Sequence, residues 1–120
     1  MQAEGRDIAS IWDMHQAALG IARTLEGVGL EQYLGSENTQ LIIERRMEIL
    51  GEAARRISKT FCDAHPEIPW RQLISQRNLI IHEYDEVDSD RIYHMAISYI
   101  PGLIQTLKAI LDNLLPEDRL

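Results

Sequence analysis

The stretch that decides the fold is "NTQLIIERRMEILGEAARRISKTF", Asn38 to Phe61. Ile42, Ile43, Met47, Leu50, Ala54 and Ile57 recur mostly at three- and four-residue steps, with Ile49 and Ala53 beside them. That is the period of one buried stripe on a long helix. Ser36 or Asn38 stands where a cap must accept the first free backbone N–H groups. The small patch "GEAA", Gly51 to Ala54, leaves room for another helix to approach closely. Arg45, Arg46, Arg55, Arg56 and Lys59 make this the most basic segment of the chain, with Glu44, Glu48 and Glu52 interleaved. The pattern reads first as a solvated face with pairs such as Glu52–Arg56. A phosphate-contacting edge is the other reading.

Working outward, the same period appears on both sides. Upstream, Ile8, Ile11, His15, Ala18, Ala22 and Leu25, with Trp12 and Leu19 beside them, predict a helix over Asp7 to Leu25. "GVGL", Gly27 to Leu30, ends it, because glycine permits a left-handed exit; "EQYL" adds a short helical turn. Downstream, "HPEIPW", His65 to Trp70, breaks the pattern. Pro66 and Pro69 cannot continue a helix interior, and Pro69 suits a first helical position. A helix restarts near Trp70. Asp88 or Ser89 caps a last helix to about Leu115, whose inner face is Ile92, Ala96, Tyr99, Leu103, Leu107, Ile110 and Leu114. Pro101-Gly102 should kink it. No segment alternates with a period of two. The prediction is an all-α fold, an antiparallel bundle of four to five helices, with residues 1–120 as a single domain.

Composition narrows the function. At 120 residues the chain fits one domain with ordinary globular composition. A lone Cys62 cannot form an internal disulfide or a multi-cysteine zinc site. There is no signal-peptide core and no apolar run that could span a bilayer, so a soluble, cytoplasmic protein is expected. A net charge of -7 argues against a protein that coats nucleic acid, but not against a local basic site acting on RNA.

The residues that carry chemistry lie in "SQRNLIIHEYDEVD", Ser75 to Asp88. On a helix Asn78 and His82 share a face, and the long side chain of Arg77 reaches the same edge. Histidine moves a proton near neutral pH, and arginine offers a fixed, permanently charged fork for phosphate oxygens. Together they suit a phosphodiester: His82 as acid or base, Arg77 stabilising charge on the phosphorus-bound oxygens. An RNA substrate brings its own 2′-hydroxyl as nucleophile, so the chemistry requires no metal or cofactor. The acidic run Asp85, Glu86, Asp88, Asp90 lacks the spacing of a calcium loop and reads as loop and cap. The same Arg and His also fit a hydrogen-bonding pair at a bundle edge, and Tyr84 fits a rim aromatic. His15 reads as a core or interface histidine, His65 and His94 as loop and surface residues.

Three segments in order, "MEILGEAARRIS", "HPEIPW" and "RNLIIHEY", resemble the HepT-like branch of the HEPN superfamily. The likeness covers roughly Asp7 to Pro116. It implies an endoribonuclease toxin of a type VII toxin–antitoxin pair that cleaves RNA, tRNA above all, without a metal. Arg77 and His82 match the catalytic arginine and histidine of the R-x4-H-x-Y motif, and Asn78 the supporting polar residue. Tyr84 matches the tyrosine that a cognate MntA-like nucleotidyltransferase antitoxin modifies with AMP, silencing the toxin. The resemblance further implies a homodimer whose two motifs meet at the subunit interface, which would supply both an acid and a base. Asp85-Glu86 depart from the aromatic and glycine expected there. Since Tyr84 lies about 200° from His82 on an unbroken helix, the helix is expected to loosen at Tyr84-Asp85. The alternative reading is a non-catalytic nucleotide- or substrate-binding subunit of a nucleotidyltransferase complex; RNA cleavage separates the two.

Overall fold

Helix α1, Gly5–Leu25, begins a computed structural model that describes residues 5–114. The expected end of the last helix at Leu115, and Pro116, lie outside the described residues. After α1 come α2 (Leu30–Leu34), α3 (Glu37–Arg55), α4 (Lys59–Ala64), α5 (Trp70–His82), a single 3₁₀ turn (Tyr84–Glu86) and α6 (Ser89–Leu114). The fold is all-α, as the periodicity predicts. α1 packs against both α3 and α6, and α5 packs against α3, so the main contacts run in the order α6, α1, α3, α5 around the bundle.

The core is built where the stripes meet. Ile11, Met14, Ala18 and Ile21 of α1 face Ile43, Met47 and Leu50 of α3 and Ile92, Ile100 and Leu107 of α6, all buried. Each isoleucine, leucine or methionine among them contributes roughly 1.5–3 kcal/mol by leaving water. Leu73 and Ile80 anchor α5. The caps follow the sequence closely. Gly27 takes the left-handed exit with φ 74°. Ser36 Oγ accepts from Thr39 N, and Asp88 Oδ1 accepts from the N–H groups of Asp90 and Arg91. Pro69 stands one residue before the first helical position, at the cap of α5.

Four expectations are corrected. The long helix predicted over Asn38–Phe61 stops at Arg55, and a new one starts at Lys59. The cause is a tertiary bond: Asp7, buried on α1, accepts from Ser58 N at 2.9 Å and Ser58 Oγ at 2.7 Å. That holds Ser58 extended (φ -64°, ψ 151°), where its hydroxyl caps α4 by accepting from Phe61 N. Second, Ile42 and Ile49 are exposed, because Ile43, Met47, Leu50 and Ala54 already fill the inner face. Third, Tyr99 lies on the outer side of α6 and Ile100 takes its core place. Fourth, the pair Glu52–Arg56 does not form. Arg56 terminates α3 and turns to Asp13 of α1 at 3.3 Å, while Glu52 pairs with Arg55. α6 continues through Pro101 as one helix.

Candidate active site on α5

The close approach that "GEAA" predicts is made by α5. A Cβ added to Gly51 would collide with Arg77 Cβ and stand 2.6 Å from the Leu73 carbonyl oxygen. Gly51 therefore lets the backbones of α3 and α5 touch, and it sets the root of the Arg77 side chain. One residue on, Glu52 reaches Arg77: its Oε1 lies 3.1 Å from Arg77 Nη2. Arg77 Nη1 donates to Asn78 Oδ1 at 2.6 Å. The guanidinium is thus fixed on two sides, with its side chain only 18% exposed. Fixing a fork-shaped cation in advance is what electrostatic stabilisation of a phosphoryl group requires.

Glu52 serves two arginines, since Arg55 also donates to it, from Nε at 3.3 Å and from Nη2 at 3.1 Å. The hydrogen bond from Arg55 lowers the Glu52 carboxyl below its ordinary value, and the charges of Arg55, Arg77 and Arg56 act in the same sense. One carboxylate between two guanidiniums leaves the cluster cationic, in a chain that is acidic overall. In the sequence Glu52 and Arg55 read as members of a solvated charge run, and nothing local links them to Arg77.

His82 is the last residue of α5. Its ring is exposed and has no hydrogen-bond or ion-pair partner among the described residues. Asn78 and His82 share a face, both exposed. His82 stands five positions after Arg77, about 7.5 Å along the axis and about 140° round it. Among the described residues no hydrogen bond joins the two.

The helix ends at His82, two residues before the expected loosening at Tyr84-Asp85, and the chain turns through Glu83 (φ -134°, ψ 52°). That turn carries Tyr84 across to α3 on the 3₁₀ turn. Tyr84 is 54% exposed, and its hydroxyl interacts with Glu44. The Glu44 charge comes first in raising the Tyr84 phenol above its ordinary value.

Glu44 is the residue the sequence concealed. In an E-R-R run it reads as solvated, yet it is 5% exposed. Burial raises its carboxyl above the ordinary value, while the hydrogen bond from Tyr84 pulls the other way. Tyr33, fully buried beside it, is pushed up to about 12, by burial first and then by the Glu44 charge. Tyr33 Oη and Glu44 Oε1 are both buried without a hydrogen-bond partner. The other histidines stay apart from this site: His15 stacks obliquely near Trp12, His65 bonds Glu67 and His94 bonds Asp90.

With this geometry in view, comparison with known proteins is decisive. The family model described as ribonuclease HepT-like matches residues 14–110. The chain belongs to that family. It is therefore a HepT-like ribonuclease of the HEPN superfamily. A probable ribonuclease HepT of Thermococcus cleftensis is 34% identical over 91 residues, covering 76% of this chain and 83% of the relative. A tRNA nuclease HepT of Aphanizomenon flos-aquae is 29% identical over 101 residues, covering 64% of this chain and 68% of the relative. No solved structure matches significantly. Among the described residues of this HepT-like chain, no helix is long and apolar enough to cross a membrane.

Proposed function

We propose that this ribonuclease is a toxin that cleaves tRNA by 2′-hydroxyl transphosphorylation without a metal, with Arg77 and His82 as its catalytic residues. The observation that carries the reading is the fixed Arg77 guanidinium, held by Glu52 and Asn78 on the same helix that ends in the exposed His82. The 2′-oxygen attacks the adjacent phosphorus as its proton passes to a histidine. The bond to the 5′-oxygen breaks and that oxygen takes a proton. The products carry a 2′,3′-cyclic phosphate and a 5′-hydroxyl. Arg77 offsets the charge on the phosphoryl oxygens.

The reading includes a homodimer. Within one chain Arg77 and His82 point about 140° apart, and one imidazole cannot be both base and acid in a single step. A two-fold axis beside α5 would bring a second copy of each residue. The off-switch is AMPylation of Tyr84 by a cognate nucleotidyltransferase: Tyr84 Oη attacks the α-phosphorus of ATP and pyrophosphate leaves. Support comes from Tyr84 being exposed on a turn immediately after His82. The modified oxygen can no longer donate to Glu44. Glu44, beside Tyr84, and Glu52, beside Arg77, lie eight residues apart, about 12 Å along α3. The nucleotide, not the phenolic oxygen, therefore has to reach the arginine.

The test is cleavage of total tRNA in EDTA with analysis of product ends. Cyclic-phosphate ends should appear, and folded Arg77→Ala and His82→Ala variants should lose at least about 100-fold in rate, the usual size of an acid–base contribution. Wild type and variants cleaving alike would refute the assignment. A heterodimer of wild type with His82→Ala keeps only one imidazole in the cleft and should fall well below half of the wild-type rate; one that retains half argues against a shared cleft. Tyr84→Phe should take up no AMP from the nucleotidyltransferase, and labelling that persists at that position overturns the switch.

A further inference from the structure

α5 is held by α3 while α6 is held by α1, and a groove of about 640 Å³ opens between α5 and α6. We infer that this groove is a subsite for a single strand of RNA, with Arg71 and Arg91 taking phosphates and Tyr99 stacking on a base. The inference rests on the ribonuclease reading and adds to it a place for the substrate beyond the cleaved bond.

Charge selects the occupant. Three of the arginines in the basic segment around α3 are paired, Arg45 with Glu48, Arg56 with Asp13 and Arg55 with Glu52, while Arg46 packs against Gly20 of α1. Arg71 and Arg91 are exposed, and neither guanidinium has an ion-pair partner among the described residues. They line the groove together with Gln72 and Gln76, and no carboxylate is among the lining residues. In a chain of net charge -7, a carboxylate-free groove with two unpaired guanidiniums suits an anion. Leu79, Met95 and Tyr99 supply an apolar wall, which a small inorganic anion would not use. A nucleic-acid strand uses both, through phosphates and base faces.

Position selects RNA en route to the active site. Ser75, a lining residue, and His82 are seven residues apart, as are Arg71 and Asn78. Seven residues return within about 20° of the same helical face. The groove edge and the Asn78–His82 face are therefore one continuous strip of α5. The exposure of Tyr99, which the apolar periodicity placed in the core, also acquires a use.

The experiment measures a short single-stranded RNA by fluorescence anisotropy on the full chain carrying His82→Ala, which binds without cleaving. Adding Arg71→Gln and Arg91→Gln should weaken binding at least tenfold. The slope of log affinity against log salt should become shallower by about 0.7 for each phosphate that is no longer neutralised. Tyr99→Ala should weaken binding, and Tyr99→Phe should restore it. Arg6→Gln with Arg23→Gln removes the same charge elsewhere and should leave affinity within twofold. In the cleaving protein the groove variants should act through KM rather than kcat. Unchanged binding in the Arg71/Arg91 variant overturns the proposal. So does a shift to monomer in sedimentation, which would make the groove a contact between copies or a partner surface. If wild type fails to cleave RNA, the catalytic assignment falls, while the anisotropy arms still decide the groove.

Discussion

Gly51→Ala tests the contact that places Arg77, the arginine proposed for catalysis. The new carbon would stand 2.6 Å from the Leu73 carbonyl oxygen, where ordinary contact begins near 3.4 Å, so about 0.8 Å is missing. The obstacle is backbone, with the Arg77 Cβ also in the way, so no flexible chain end can yield. α5 must move away from α3. Overpacking of this kind costs up to about 3 kcal/mol, and alanine returns about 1 kcal/mol of helix propensity, leaving a net loss near 2 kcal/mol. For a domain of this size that is a fall in Tm of about 8 °C. Gly102→Ala is the control: nothing lies within 4 Å of its added carbon, inside α6, so it should raise Tm by about 4 °C. The same change of residue is expected to act with opposite signs at two helical sites. Calorimetry measures both, and tRNA cleavage well below the lower Tm measures the displacement of Arg77. A shift approaching 1 Å should cost about 100-fold in rate. A Gly51→Ala protein that melts at or above wild type and cleaves normally would refute the reasoning.

Two further perturbations address the scaffold. Asp7→Ala should cost about 3 kcal/mol, because it removes two charge-assisted bonds to Ser58 and frees the cap of α4; urea denaturation that finds less than about 1 kcal/mol would show that α3 ends for another reason. Glu44→Gln should change how stability varies with pH. Glu44 has a folded value raised by burial above its ordinary 4.5, so the folded state holds its proton longer than the unfolded chain. Wild-type stability should therefore fall as pH rises from about 4.5 through the folded value and then level off. The glutamine variant lacks that fall, so its Tm advantage should grow with pH over the same window. A constant difference across pH 4–8 would mean that Glu44 titrates normally.

The helical period made α1, α3 and α6 legible, and the glycine, serine and proline signals located most of their ends. What the period could not do was choose the exact face. Ile42 and Tyr99 each sit one residue from a position that is buried, Ile43 and Ile100, and only the partner helix decides which of two adjacent apolar residues turns inward. The end of α3 was illegible for a different reason: it depends on Asp7, 51 residues earlier in the chain. The site divides the same way. Arg77, Asn78, His82 and Tyr84 are marked by spacing and by likeness to a family. Glu44 and Glu52 look like two identical members of one solvated charge run. In the fold one is buried beside Tyr84 and the other clamps Arg77, and no local pattern distinguishes them.

The net charge of -7 first counted against an RNA substrate, and its distribution turns that argument round. Two unpaired guanidiniums face each other across the groove, Arg71 on α5 and Arg91 on α6, and on another side of α5 Arg77 shares the single carboxylate of Glu52 with Arg55. Arg45 and Arg56 are paired, with Glu48 and with Asp13 of α1. A charge is felt strongly only within about 8 Å in physiological salt, so an approaching RNA meets the groove cations only at close range. A rigid duplex would lay many phosphates against the acidic remainder of the surface to place a few in the groove. A single-stranded loop can place its phosphates in the groove alone, and its unstacked bases are free to use Tyr99. On the proposed reading, the acidic body of the protein is therefore part of its selectivity: it rejects paired RNA and leaves the exposed loops as the segments that reach Arg77 and His82.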